Sequence, residues 1–165
     1  GEIIYKNRYY PNLQLKLDLY KEQLIVLSPE KHYGVLLDSK EVQKATFYGK
    51  TFIWYDSQKT KDLKAGFYMQ LYKGNTLTLL SKISMSLNKG LTSSHFDSKT
   101  RSYLLFNENY YQVKNKNSFR KIFPQYKNQI NRFSKEQKLD FGSDPEGSLV
   151  SLARYCESLF LDTIR

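Results

Sequence analysis

The feature that most constrains the fold of this chain is a strict alternation of apolar and polar residues in short segments. In LQLKLDLY, residues 13–20, leucine occupies every second position, so the leucines share one face of an extended strand. The segment GFYMQLYKGNTLTLL, residues 66–80, alternates in the same way before Gly74 and Asn75, which tolerate the positive φ of a tight hairpin turn. Both patterns predict β-strands with one buried face, connected by short turns.

Further strands are predicted throughout the first two thirds of the chain. Turn or polar residues separate them at Lys21-Glu22, Pro29, Gly49-Lys50, the polar interval 88–100 and Asn107-Glu108. The second arm of the 66–80 hairpin continues with apolar odd-numbered residues to Leu87, which favours one long strand. Because parallel strands need long crossover connections, these short turns indicate antiparallel pairing. About seven to nine strands in a meander would curl into a partial barrel or fold into two layers.

The last third of the chain changes to helical periodicity. Between residues 117 and 135, apolar residues recur three or four positions apart, namely Phe119, Ile122, Phe123, Tyr126, Ile130 and Phe133. Proline suits the first turn of a helix but not its interior. The pattern therefore predicts a brief helical turn capped by Asn117 or Ser118, followed by a helix from about Pro124 to Lys138.

A second helix is predicted to begin after Asp144, which is placed to act as its N-cap. Pro145 takes the first helical position, and Glu146 lies near the positive end of the helix dipole. Its inward stripe is Leu149, Leu152, Ala153, Cys156, Leu159 and Phe160. The predicted fold class is therefore α+β: one domain over 1–165, with a β-rich body at 1–115 and a part at 116–165 whose two helices pack on the curled antiparallel sheet.

The charge balance of the chain points toward anionic partners. The 26 Lys and Arg residues exceed the 16 Asp and Glu residues, giving a net charge of +10. Nucleic acid, anionic lipid or lipopolysaccharide, and acidic glycans all carry the complementary charge. The positive residues are spread along the chain, so a solvated lysine-rich surface is the favoured explanation of the charge. The longest apolar runs are far too short to span a bilayer.

The candidate binding residues lie on the polar face of the 117–135 segment and on a neighbouring tyrosine pair. They are Arg120, Lys121, Lys127, Arg132, Lys135, Tyr110 and Tyr111. Exposed tyrosines among basic residues can stack on bases or sugars, but tyrosine also covers sheet edges with its hydroxyl in water. Burial of the apolar stripe would contribute about 1.5–3 kcal/mol for each large side chain, so packing is the primary reason for this segment.

No catalytic or metal-binding motif is present in the sequence. Neither His32 nor His95 has a partner at metal-ligand spacing, since HFD at 95–97 is too weak a signal to count, and the polar residues around His95 predict a loop there. Cys156 falls on an apolar helix stripe, where cysteine acts as a small hydrophobic residue. We therefore expect no catalytic residues, no metal, no cofactor and no enzymatic activity. A carboxylate pair assembled only by folding is left open.

Three segments carry a resemblance to a known group of proteins. They are LDLYKEQLIVL, GFYMQLYKGNTLTLL and YYQVKNKNSFRKIFPQYKNQINRFSKEQKLDF. Together they resemble small uncharacterised exported proteins of Bacteroidota-type Gram-negative bacteria, in which a β-rich body is followed by a lysine-rich helix. The resemblance implies a removed signal peptide and residence in the periplasm or at the outer membrane. It brings no catalytic residues to this chain.

The leading functional prediction is a non-catalytic, exported binding or accessory protein of the cell envelope. Its partner would be an outer-membrane or envelope protein, or an anionic envelope component; nucleic acid is not the expected partner. One alternative is a nucleic-acid-binding module that uses the basic, tyrosine-rich surface. Another is a carrier that holds a small ligand in the cavity of a β-barrel.

Overall fold

The alternating segments form β-strands, and the last third of the chain forms helices. The computed structural model describes residues 1–28, 33–56, 63–89 and 94–163. The strands are β1 (Glu2–Tyr5), β2 (Arg8–Tyr10), β3 (Gln14–Asp18), β4 (Gln23–Leu27), β5 (Gly34–Leu36), β6 (Val42–Phe47), β7 (Lys50–Tyr55), β8 (Gly66–Lys73), β9 (Leu77–Lys89), β10 (Ser94–Phe106) and β11 (Asn109–Val113). The α-helices are α1 (Lys116–Ile122), α2 (Lys127–Glu136) and α3 (Pro145–Thr163).

The strands belong to two sheets. Within the described residues, the larger sheet has eight strands in the order β11-β10-β9-β8-β7-β6-β1-β2, and the smaller sheet has the order β3-β4-β5. Pairing is antiparallel between β1 and β2, β1 and β6, β6 and β7, β10 and β11, and within the smaller sheet. The α+β class with a mostly antiparallel sheet and C-terminal helices is confirmed, and the sheet is not closed.

The described part of the C-terminal region contains three α-helices where two were predicted. The helical turn that was expected before Pro124 is a seven-residue helix, α1. This helix begins at Lys116, which precedes both predicted caps. Its N-cap is Asn115, whose Oδ1 accepts a hydrogen bond from the Asn117 amide at 3.0 Å. Asp144 is the predicted cap for α3, and its Oδ1 accepts from the Gly147 amide at 3.0 Å.

The chain divides into two compact units. Unit 1 comprises Gly1–Met69 and Lys82–Thr100, and unit 2 comprises Gln70–Ser81 and Arg101–Arg165. Strands β8, β9 and β10 each contribute residues to both units. The prediction of one domain over 1–165 stays a prediction.

The core of unit 1 draws side chains from both sheets. Its buried members are Ile3, Leu15, Leu24, Val42, Ala45 and Phe67. Trp54 lies beside this core, with its ring 5.0 Å from that of Phe67 in an edge-to-face arrangement. Leu15 and Leu24 come from the smaller sheet, so that sheet contributes its leucine face to the core, as the alternation in residues 13–20 predicts.

The core of unit 2 lies between the helices and the strand segments of that unit. Its fully buried members include Leu77, Leu79, Leu104, Phe119, Phe123, Ile130 and Leu152. Cys156 belongs to this core, and burial raises the pKa of its thiol to about 12. The thiol is therefore protonated at neutral pH and packs as a small apolar group, as its position on the stripe of α3 predicts.

The predicted polar interval at 88–100 is partly wrong. Residues 94–100 form the first half of β10, and His95 lies on that strand rather than in a loop. All seven side chains of 94–100 are exposed. The segment lacks a buried face, so it shows no alternation of apolar residues, and backbone pairing with β9 accounts for its extended conformation. Residues 90–93 lie outside the described residues, as do Pro29 and His32.

Two of the predicted turns are built differently from the expectation. The turn between β6 and β7 is at Tyr48-Gly49, with φ values of 50° and 70°, and Lys50 already belongs to β7. Gly74 and Asn75 do not have the positive φ that was predicted for them. Gly74 is needed for another reason, because a Cβ atom there would collide with the carboxylate of Glu157.

Candidate ligand-binding site

A cavity of about 450 Å³ lies within unit 1. Its walls come from β3, β4, β6, β7, β8 and β9, and its main apolar lining is Leu15, Leu17, Phe47, Phe52, Met69 and Ile83. Ligand-binding pockets in proteins commonly have volumes of about 300–1,000 Å³ and mostly apolar walls with a few polar groups. The volume and the mostly apolar lining of this cavity therefore fall within the range of known ligand-binding pockets.

The sequence pattern explains how these side chains meet. Leu15 and Leu17 lie on the leucine face of β3, where Leu17 is paired in register with Leu24 of β4. The left-handed turn at Tyr48-Gly49 brings the flanking strands together, and the rings of Phe47 and Phe52 stack with centroids 5.0 Å apart. One wall is thus aliphatic and another is aromatic.

Two lysines supply the charge of the cavity lining. Lys16 on β3 and Lys50 at the start of β7 both line the cavity and are both exposed. Across the described part of the chain, neither ammonium group makes an ion pair or a hydrogen bond to another residue. The described residues that line the cavity include no acidic side chain. Among the described residues, the charged side chains of the lining are therefore these two lysines.

A partly buried ion pair also lies in unit 1, and neither of its residues is among the lining of this cavity. Lys82 Nζ donates to Glu22 Oε1 and to the Phe67 carbonyl oxygen at 3.2 Å, while the Phe67 amide donates to Glu22 Oε2 at 2.9 Å. Burial lowers the pKa of Lys82, and the hydrogen bond and charge of Glu22 offset part of this effect. Each charged group is hydrogen-bonded to the other and to the backbone of β8. We therefore assign a structural role to the pair.

The binding residues that were predicted on the helices differ in their exposure and in the surface pockets that they line. Lys121, Lys127, Arg132 and Lys135 are exposed, whereas Arg120 is half-buried and donates from Nη1 to Asn117 Oδ1 at 2.9 Å. Lys135 lines one surface pocket together with Lys116 and Lys138. Arg132 lines another pocket with Asn128 and Gln129 and lies 3.9 Å from Glu136 Oε1. Lys135 and Arg132 therefore do not converge on one pocket.

The predicted tyrosines lie on β11, which is an edge strand of the larger sheet. Tyr110 is half-buried and Tyr111 is exposed. Tyrosine at a sheet edge with one ring partly covered is typical of the packing role that was weighed against a stacking role. Whether these tyrosines and the basic residues bind a ligand stays a prediction.

Sequence reasoning did not identify the cavity. Its lining residues range from position 15 to position 83, and no local pattern relates Leu15 to Ile83. The two available signals are that Lys16 occupies a polar position between Leu15 and Leu17 and that Lys50 follows an aromatic turn segment. Neither signal assigns a site without the tertiary fold.

Comparison with protein-family models, with curated proteins and with solved structures finds no match to this chain. The resemblance to exported Bacteroidota-type proteins therefore stays a prediction. Among the described residues, no helix is both long and apolar enough to cross a membrane. Within the same residues, no group of three or more His, Cys, Asp or Glu side chains is placed to hold a metal ion.

Proposed function

We propose that this protein is a non-catalytic binding protein that holds a small apolar molecule in the cavity of unit 1. The observation that carries the proposal is the cavity itself, which combines a volume of about 450 Å³ with walls formed mainly by leucine, phenylalanine, methionine and isoleucine. Moving apolar ligand surface from water into such a cavity contributes about 0.8 kcal/mol for each buried methylene group. Hydrophobic burial alone can therefore support binding.

The rim of the cavity also favours an occupant. Tyr48 is 90% exposed, and Leu27 is 37% exposed. Exposed apolar surface next to a concave apolar wall is a common feature of ligand-binding grooves. A bound molecule would cover part of this surface.

A polyanion on the helices is the alternative function. Its support is the pocket that Lys116, Lys135 and Lys138 share in unit 2. Because Arg132 lines a different pocket and has an acidic neighbour in Glu136, the basic side chains of α2 do not form one track for a nucleic-acid backbone. The apolar cavity is therefore the better supported site. The proposal that the protein acts in the cell envelope rests on the sequence resemblance alone.

Fluorescence titration with Nile red, a neutral apolar dye, tests the proposal. The Ile83→Trp variant places a larger side chain in the cavity, and we expect it to weaken dye binding about tenfold or more. The matched control is Leu36→Trp, which adds the same ring at a position of β5 that is 54% exposed and outside the cavity lining. Denaturant midpoints establish that both variants fold. Absence of dye binding by the native protein, or equal binding by a folded Ile83→Trp variant, would contradict the proposal.

A further inference from the structure

We infer that the ligand of the unit 1 cavity is an anionic amphiphile, with an unbranched alkyl chain in the cavity and a carboxylate beside Lys16 and Lys50. This inference rests on the proposed function and adds the chemical class of the ligand. It combines two observations: the walls are apolar, and the charged residues among the lining are two lysines. A neutral apolar ligand would make no use of them, and a cationic ligand would be repelled.

Both lysines are available to a ligand. Their side chains are exposed, and within the described ranges neither makes an ion pair with a carboxylate. The charge of Lys16 acts on Asp18 from beyond ion-pair distance and is one of the smaller causes that lower the pKa of that carboxyl. Asp18 is the acidic residue nearest to Lys16 along β3, and its Oδ1 already accepts from the amides of Tyr20 and Lys21, both at 2.9 Å. That carboxylate is therefore used by the turn after β3. The lysines are left to a ligand or to water.

The remaining lining favours an alkyl chain over a planar polar molecule. Leu17 and Ile83 are half-buried members of the lining, so their accessible surface is aliphatic surface that a ligand can contact. The described lining residues contribute few side-chain hydrogen-bonding groups apart from the two lysines and the Tyr48 hydroxyl. A ligand with many polar groups would lose its hydrogen bonds to water without replacement, which costs free energy for each unpaired group. A methylene chain has no such groups to satisfy.

A second copy of this chain is a less suitable occupant. Each copy carries a net charge of +10, so two copies repel each other. An exposed lysine pair at the cavity would increase that repulsion. A small anion has the opposite charge and reaches the lysines without burying a second protein surface.

The experiment compares decanoate with decanol, which share their alkyl chain and differ in the charged end. Isothermal titration calorimetry at low salt measures both affinities for the native protein and for the double variant Lys16→Gln/Lys50→Gln. The control is Lys44→Gln/Lys99→Gln, which removes the same charge from exposed positions of unit 1 outside the cavity lining. All three proteins are first compared by denaturant titration to establish that they fold.

We expect decanoate to bind the native protein about tenfold more tightly than decanol, the combined effect of two exposed charge pairs. The cavity double variant should lose this difference by binding decanoate more weakly while decanol binding stays unchanged. The control variant should retain it, and higher salt should weaken decanoate binding only.

The possible failures separate the two proposals. If neither ligand binds the native protein, the proposed function is wrong. If both bind with equal affinity, or if the control variant weakens decanoate binding as much as the cavity variant does, the cavity binds apolar molecules but the lysines do not recognise a charged end. That result would overturn the inference and leave the proposed function standing.

Discussion

A single buried carboxylate organises one turn of unit 2. Glu157 on α3 is 5% exposed, and its Oε1 accepts from the Asn75 amide at 3.0 Å and from the amide and hydroxyl of Thr76, both at 2.8 Å. Its Oε2 accepts from the Leu77 amide at 2.9 Å. Three backbone donors of the turn between β8 and β9 thus depend on one side chain. Hydrogen bonds to an ionised acceptor are stronger than those between neutral groups.

The Glu157→Ala substitution should therefore destabilise the protein strongly. It leaves the buried Leu77 amide and its neighbours without an acceptor, and each unsatisfied donor costs about 1–3 kcal/mol. Asn75 and Thr76 are exposed, so water can replace part of the lost hydrogen bonding there. We therefore expect a total loss at the low end of the sum, about 3–5 kcal/mol in the free energy of unfolding, measured by denaturant titration. Glu136→Ala removes the same side chain from an exposed position of α2 and should change stability by less than about 0.5 kcal/mol. Equal effects of the two substitutions would contradict the role assigned to Glu157.

Lys82, the buried member of the unit 1 ion pair, makes stability depend on pH. Burial holds the pKa of Lys82 below its ordinary value, so the folded protein binds this proton less tightly than the unfolded chain does. Below the pKa that Lys82 has in the folded protein, Lys82 is protonated in both the folded and the unfolded state. The free-energy cost of burying its charge is then fully present. As the pH rises through the folded pKa toward the unfolded pKa, the folded state loses its proton first and this cost is relieved.

Comparison with a Lys82→Met variant isolates this contribution. The free energy of unfolding of both proteins is measured between about pH 8 and about pH 10.5, the range below the ordinary pKa of lysine. We expect the stability of the native protein relative to the variant to rise with pH across this range. Tyrosines titrate in both proteins and therefore cancel in the difference. A difference that falls with pH would mean that folding raises the pKa of Lys82.

Among the elements, α2 shows how an amphipathic helix can be basic and still be a packing element. Ile130 is fully buried in the unit 2 core, and the ring of Phe133 stacks on that of Tyr155 with centroids 4.0 Å apart and an interplanar angle of 3°. Lys127 and Arg132 on the same helix are exposed. The helix thus directs its apolar stripe to the core and leaves its charges in water.

Substitution on the two faces of α2 should have very different effects on stability. Ile130→Ala and Phe133→Ala should each lower the free energy of unfolding by about 2–5 kcal/mol, with Phe133 at the lower end because its side chain is only half-buried. Lys127→Ala and Arg132→Ala should stay within about 0.5 kcal/mol. Denaturant titration of the four variants measures this. Small losses for the apolar variants, together with loss of partner binding by the charged ones, would make α2 a recognition helix instead.

Elements whose buried residues repeat with a clear period were predicted from the sequence, whereas the exposed first half of β10 was missed. The leucines of β3 and the stripe of α3 repeat with the period of their element because one side meets a core. Residues 94–100 are exposed throughout, so only backbone pairing identifies them as a strand. The sequence analysis explained Gly74 by a positive φ at the turn. The structure instead requires glycine there because a Cβ atom would collide with Glu157, about eighty residues away in sequence.

At the scale of the whole molecule, the cavity follows from tertiary folding and from no local motif. Its lining joins β3 and β4 of the smaller sheet to four strands of the larger one, so the site depends on which strands share a core. The basic residues of the predicted site could be identified from the sequence because residue type alone gives the charge. Their separation into different pockets of unit 2 could not be predicted from the sequence, because it depends on the direction of each side chain.

Methyl-resolved NMR of the protein saturated with Nile red tests the central claim most directly. The aromatic rings of the dye should shift the methyl resonances of residues that line the cavity, namely Leu15, Leu17, Leu27, Met69 and Ile83. The methyl resonances of Leu104 and Leu152, buried in the core of unit 2, serve as an internal control and should stay in place. Shifts concentrated in the cavity would support a binding site there. Shifts confined to unit 2, or no shifts at saturation, would contradict it.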